Sequence, residues 1–86
     1  MKAHEIRINE EFCDAIVSGD RNFDIQQNDR GYQKGDRVIF RPLRTWPYSA
    51  HLVHDIELKE YEITYVLSGW GLKQGYVVFG FKEVSE

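Results

Sequence analysis

Six polar side chains in the first half of the chain are of the types that read a nucleobase or a nucleoside: His4, Arg21, Asp24, Asn28, Asp29 and Arg30. Such a pocket needs fixed donors and acceptors; guanidinium groups donate, carboxylates accept, and an amide does both. The six fall at a strand start, a helix end and a turn, from which side chains can converge. A plainer use exists for them. Asn28 and Asp29 are favoured turn residues, and Arg21 with Asp24 can form an ordinary surface ion pair.

A second set follows at once. Arg37, Arg41 and Arg44 interleave with the aromatics Trp46 and Tyr48, the pattern of a phosphate contact beside a stacking platform. Strand alternation puts Arg37 and Arg41 on one face with Ile39 between them. The competing reading is a solvated strand beside a loop that tucks its tryptophan under the core.

Two further features carry less chemistry. His51-Leu52-Val53-His54-Asp55 has a two-histidine spacing, but it lies in a stretch without periodicity and no cysteine supports it, so no metal is assigned. Cys13, the sole cysteine, follows Phe12 inside a helical segment, where a buried and unreactive thiol is expected.

These residues must be positioned by one small domain of 86 residues, with a formal charge of -3. That balance argues against a protein held on nucleic acid by net charge alone. Residues 1–45 hold 8 Lys/Arg and 8 Asp/Glu, against 3 and 6 in residues 46–86, so a basic site belongs to the first half. A single cysteine, no long apolar run and no signal-peptide pattern lead to the expectation of a soluble, cytoplasmic protein away from the membrane.

Ile6 and Ile8 alternate with Arg7 as in a short strand. Asn9 stands at an N-cap, and Phe12, Ala15 and Ile16 share one face of a helix over about residues 10–18 that Gly19 ends. Phe23 and Ile25 alternate with Asp24 and Gln26 and lead into the turn Asn28-Asp29-Arg30-Gly31. Gly35 and Asp36 belong to a second turn, assigned to backbone geometry and not to ligand contact. Val38 to Phe40 reads as a buried strand stopped by Pro42, and residues 42–55 as a long loop or hairpin tip. The clearest strand is Glu60 to Leu67, and Tyr76 to Phe81 is the last. One helix with five or six strands predicts an α+β domain: a small, mostly antiparallel, partly closed β-barrel with one N-terminal capping helix.

The run Gly19-Asp20-Arg21-Asn22-Phe23-Asp24-Ile25-Gln26, followed by Lys34-Gly35-Asp36, resembles the ASCH families of the PUA-like superfamily, whose hallmark is G-x-K-x-x-E-x-R between a helix and a strand. The opening Lys2-Ala3-His4-Glu5, the Asn28-Asp29-Arg30 turn, Tyr32, and Gly71-Leu72 with Gly75-Tyr76-Val77-Val78 are closer to a bacterial and phage branch, a domain of unknown function. The resemblance implies a PUA-like barrel with a cleft beside its helix. It also implies a superfamily that binds RNA and, in one branch, hydrolyses an amide on a modified cytidine. Here Arg21 replaces the hallmark lysine, Asp24 the acid and Gln26 the arginine. In the hydrolytic branch a lysine of lowered pKa activates a threonine. Arg21 cannot lose its proton and Asp24 has no hydroxyl, so that machinery is missing.

The expectation is therefore an RNA- or nucleotide-binding module whose polar cleft lies between the helix end and the first barrel strands. No cofactor is needed, and the site comprises His4, Arg21, Asp24, Asn28, Asp29, Arg30, Arg37, Arg41 and Trp46. Arg21 and Arg30 are expected to share one cleft with Asp24 at its floor. The alternatives are a small hydrolase acting on a modified nucleoside, with Asp24 as base, and a protein-interaction module anchored by Trp46 or Trp70. Oligomeric state is not legible.

Overall fold

The computed structural model describes residues 1–43 and 54–84. Strand β1 (Ala3–Asn9) runs into a 3-10 turn at Glu10–Phe12 and then helix α1 (Cys13–Ser18). Gly19 closes the helix at φ 88°, a left-handed conformation that a side chain would resist. β2 (Phe23–Gln27) and β3 (Arg37–Leu43) follow, then a second 3-10 turn at Asp55–Leu58, β4 (Tyr61–Ser68) and β5 (Tyr76–Glu83). No described helix is long and apolar enough to cross a membrane.

The five strands form one sheet in the order β1-β3-β4-β5-β2. Only β1 and β3 are parallel, because the chain leaves β1 through α1 and β2 before it returns; the other three pairs are antiparallel. The α+β class and mostly antiparallel sheet match the expectation. The barrel does not close. β1 and β2 are the two ends of the strand order and form no ladder with each other, yet the sheet curls until residues of both line common hollows.

Alternate residues build the core. Ile6, Ile8, Val38, Phe40, Ile63, Val77 and Phe79 point inward, and Cys13, Ile16 and Ile56 cap them from the two helical segments. A connected set of rings runs through it: Phe40, Tyr61 and Phe81 lie 5.2–5.5 Å apart by centroid, Phe81 contacts Phe79 at 6.3 Å, and Phe79 contacts Tyr32 at 5.1 Å. Each buried aromatic side chain stabilises the fold by about 1.5–3 kcal/mol, which a domain this small needs.

Pro42 does not stop β3. It sits opposite Ile8 of β1, beyond Val38 where pairing to β4 ends, so the missing N–H falls on a side of β3 with no described partner strand. The expected loop over residues 42–55 mostly lies outside the described residues. Of that stretch, Pro42 and Leu43 extend β3, and His54 caps the second 3-10 turn, where the backbone N–H of Ile56 donates to His54 Nδ1 at 3.0 Å.

Candidate functional site

A slot runs between the free edges of β1 and β2. Its larger part, about 560 Å³, is lined by Glu5, Ile6 and Arg7 on one side and Gln26, Gln27, Asp29, Arg30 and Tyr32 on the other. A smaller part, about 260 Å³, is lined by Arg7, Ile8, Asn9, Phe12, Arg21, Asp24, Ile25 and Gln26. Arg7 and Gln26 belong to both. Arg30 and Arg21 therefore line two adjoining hollows of the slot and not a common one, with Arg7 and Gln26 at the junction and Asp24 on the smaller alone.

Local sequence explains each position. The Asn28 side chain accepts the backbone N–H of Tyr32, four residues on, at 3.1 Å, a bond that holds the turn through Asp29 and Arg30 closed. Arg30 then donates to the backbone carbonyl of Glu5 on the free edge of β1. Because strand residues alternate the side to which their N–H and C=O point, the backbone of Arg7 faces the slot as that of Glu5 does.

The smaller half centres on Asp24, only 4% exposed. Arg21 Nη2 donates to Asp24 Oδ1 at 2.9 Å and Gln26 Nε2 to Oδ2 at 2.8 Å. Burial pushes the Asp24 carboxyl above its ordinary value, against the opposing pull of Gln26, Arg21 and the Ile25 N–H. Arg21 is fixed from several directions. Its Nε donates to the Phe23 carbonyl at 3.0 Å, and its guanidinium carbon lies 4.2 Å from the Phe12 ring centroid and 5.3 Å from that of Phe23.

Arg7 differs from its neighbours. Among the described residues it makes no ion pair, hydrogen bond or ring contact. It stands at the junction of the two halves. Sequence reasoning missed it because Ile6-Arg7-Ile8 reads as plain alternation; the signal was its place on a strand that ends the sheet.

Several expected site residues lie elsewhere. His4 is buried beneath the sheet, where its ring N–H donates from Nε2 to Asp36 Oδ2 at 2.9 Å and its ring packs edge-on to Tyr32 at 4.8 Å. Asp36 also accepts the backbone N–H groups of Lys2 at 3.0 Å and Gln33 at 3.1 Å. This carboxylate is thus a hub tying the second turn to the start of β1. Burial alone would raise its pKa, but these hydrogen bonds outweigh it and hold the group below the usual value.

Arg37 pairs with Glu60 at 2.8 Å and Glu62 at 3.7 Å, and Arg41 with Glu5 at 3.4 Å and Glu57 at 3.7 Å. Neither adds an unpaired charge to the slot, although Arg41 adjoins it through Glu5. Arg44, Trp46, Tyr48 and His51 lie outside the described residues. His54 uses both ring nitrogens, Nδ1 as the cap already described and Nε2 to donate to Asp14 Oδ1 at 2.8 Å. Cys13 is fully buried; burial, then Asp14, Glu10 and Glu57, push its thiol up and away from reactivity.

A chain of this pattern is 26% identical over 69 residues to a protein of Escherichia phage P2, the "Uncharacterized 12.9 kDa protein in GpA 3'region". The match takes in 80% of this chain and 60% of that protein, so the chain spans well under its full length. The family model for a domain of unknown function, DUF3850, matches residues 3–81, nearly the whole described fold and all of the slot. The chain belongs to the DUF3850 family.

Proposed function

We propose that the protein binds a nucleotide-type ligand, as a free nucleotide or as part of RNA, in the slot between β1 and β2. The observation that carries this reading is Arg7, unpartnered among the described residues, at the junction of two polar half-slots. The larger half has the volume of a small-molecule site, roughly 300–1,000 Å³. Around Arg7 stand the groups a base or ribose would need: the Gln26 and Gln27 amides, the Asp29 carboxylate and the Arg30 guanidinium. The resemblance of residues 19–26 and 34–36 to the ASCH families, which belong to a superfamily associated with RNA binding, points the same way.

Glu5, Asp24 and Asp29 balance Arg7, Arg21 and Arg30 in the slot lining. Recognition would then rest on directed hydrogen bonds with about one phosphate contact, and its salt dependence would be shallow. The hydrolase alternative has a buried carboxylate in Asp24, but among the described residues no serine, threonine, cysteine or lysine lines either half. The test is equilibrium binding of the four ribonucleoside monophosphates and of short RNA oligonucleotides to the wild type and to Arg7→Ala. Loss of one charge-assisted contact should weaken binding about tenfold. Absence of binding to every probe, or equal affinity of the variant, would refute the reading.

A further inference from the structure

On the side of the sheet away from the core, a row of register partners crosses three strands: Phe23 of β2 lies opposite Gly80 of β5, which lies opposite Tyr65 of β4. Phe23 is 44% exposed and Tyr65 65% exposed, and neither ring contacts another aromatic among the described residues. With strands about 4.8 Å apart, the two backbones that carry them are roughly 10 Å apart. Gly80 itself places no side chain between the rings. The next row, Ile25, Val78 and Leu67, continues an apolar floor.

A bulge produces this placement. β4 shifts register between Ile63 and Tyr65, so an inward residue, Ile63, is followed after one extra residue by an outward Tyr65. The extra residue, Thr64, brings its hydroxyl to the outer side of Gly80, where a Cβ would lie 3.1 Å from Thr64 Oγ1. That hydroxyl has no hydrogen-bond partner among the described residues. At the rim, Arg21 holds its cation 5.3 Å from the Phe23 ring and lines the small half of the slot as well.

We infer that Phe23 and Tyr65 form a stacking platform for unpaired bases of a single-stranded nucleic acid, continuous with the slot through Arg21. Exposed rings on a sheet face offer their π surfaces to any base, and single strands are held by such stacking together with cations along the backbone. The rim suits this occupant: Arg21 pairs with Asp24 through Nη2 and with the Phe23 carbonyl through Nε, and its Nη1, which has no partner among the described residues, can donate to a phosphate next to a base stacked on Phe23. A second copy of the chain would instead require a continuous apolar surface, which the Thr64 hydroxyl beside Gly80 interrupts. The inference rests on the nucleotide reading of the slot and extends it from one ligand to a strand.

The test titrates the full chain with a single-stranded oligouridylate of about ten nucleotides and with its duplex, in the wild type and in Phe23→Ala, Tyr65→Ala, Tyr65→Phe and Arg7→Ala. Phe23→Ala and Tyr65→Ala should each weaken single-strand binding about five- to a hundredfold, and Tyr65→Phe should restore it, since stacking needs the ring and not the hydroxyl. The duplex should bind more weakly than the single strand. Unchanged affinity in both alanine variants while Arg7→Ala binds less tightly would overturn the platform and leave the slot standing. Loss in the ring variants with Arg7→Ala unaffected would support the platform and overturn the slot instead. A wild-type dimer that becomes monomeric on Tyr65→Ala without any change in oligonucleotide affinity would assign this face to a second copy, against the inference.

Discussion

Replacing Asp36 by alanine tests the buried hub beneath the slot. The carboxylate is 3% exposed and accepts three hydrogen bonds, from His4, from the Lys2 N–H and from the Gln33 N–H. Bonds to a charged acceptor contribute about 1.5–3 kcal/mol each, but Lys2 and Gln33 can recover water, so the expected cost is about 3–5 kcal/mol, dominated by the buried imidazole left unpaired. Whole domains of this length are stable by only about 4–13 kcal/mol. Urea unfolding followed by tyrosine and tryptophan fluorescence should show the midpoint falling by roughly 2–4 M with an unchanged slope. Asp36→Asn keeps one acceptor oxygen and should lose less. The pH dependence follows from the lowered pKa: the ionised form is favoured in the folded state, so the contribution is complete above about pH 4 and is lost as pH falls through the lower folded value. A loss below about 1 kcal/mol for Asp36→Ala would show that the hub is a bystander and that β1 is anchored by its ladder to β3 alone.

Two further outcomes are expected. The Tyr61 hydroxyl is buried without a hydrogen-bond partner among the described residues, and burial, with Glu83 and Cys13, pushes its pKa up to about 12; Tyr61→Phe should therefore raise stability by about 1 kcal/mol, and a measured loss would reveal a partner for that hydroxyl. Asp24 titrates in the opposite sense to Asp36: its pKa is raised in the folded state, so its ionisation costs stability at neutral pH and the cost is relieved as pH falls through the folded value toward about 4. The stability of the wild type relative to Asp24→Asn should accordingly rise between pH 7 and about 4 in denaturation series, and a falling difference would contradict the assigned direction.

What was legible in the chain followed from period and turn chemistry. β4 stood out because Tyr61 and Ile63 alternate with polar neighbours, and Gly19 marked the helix end because its left-handed backbone suits glycine. The regular alternation also concealed something: the bulge at Thr64 leaves no trace in composition, so the outward turn of Tyr65 could not be foreseen. Pro42 misled because its effect depends on which neighbours β3 has at that point, a tertiary fact. At the site, Arg21 and Asp24 were legible as a pair three residues apart, and Asn28 as a turn former. His4 and Asp36 were separated by 32 residues, so nothing local announced that they would satisfy each other in the core. Arg37 and Arg41 looked free because their acidic partners, Glu60, Glu62, Glu5 and Glu57, come from other parts of the chain.

The central claim is that the slot between β1 and β2 is a ligand site. Its most direct measurement is a heteronuclear NMR titration of the labelled full chain with ribonucleoside monophosphates. Saturable shifts are expected at the backbone amides of Arg7 and Gln27 and at the side-chain nitrogens of Arg7, Gln26 and Arg30, with the His4 and Asp36 signals in the core little changed. Saturable shifts confined to residues far from both halves of the slot, or no shifts at millimolar nucleotide, would contradict it.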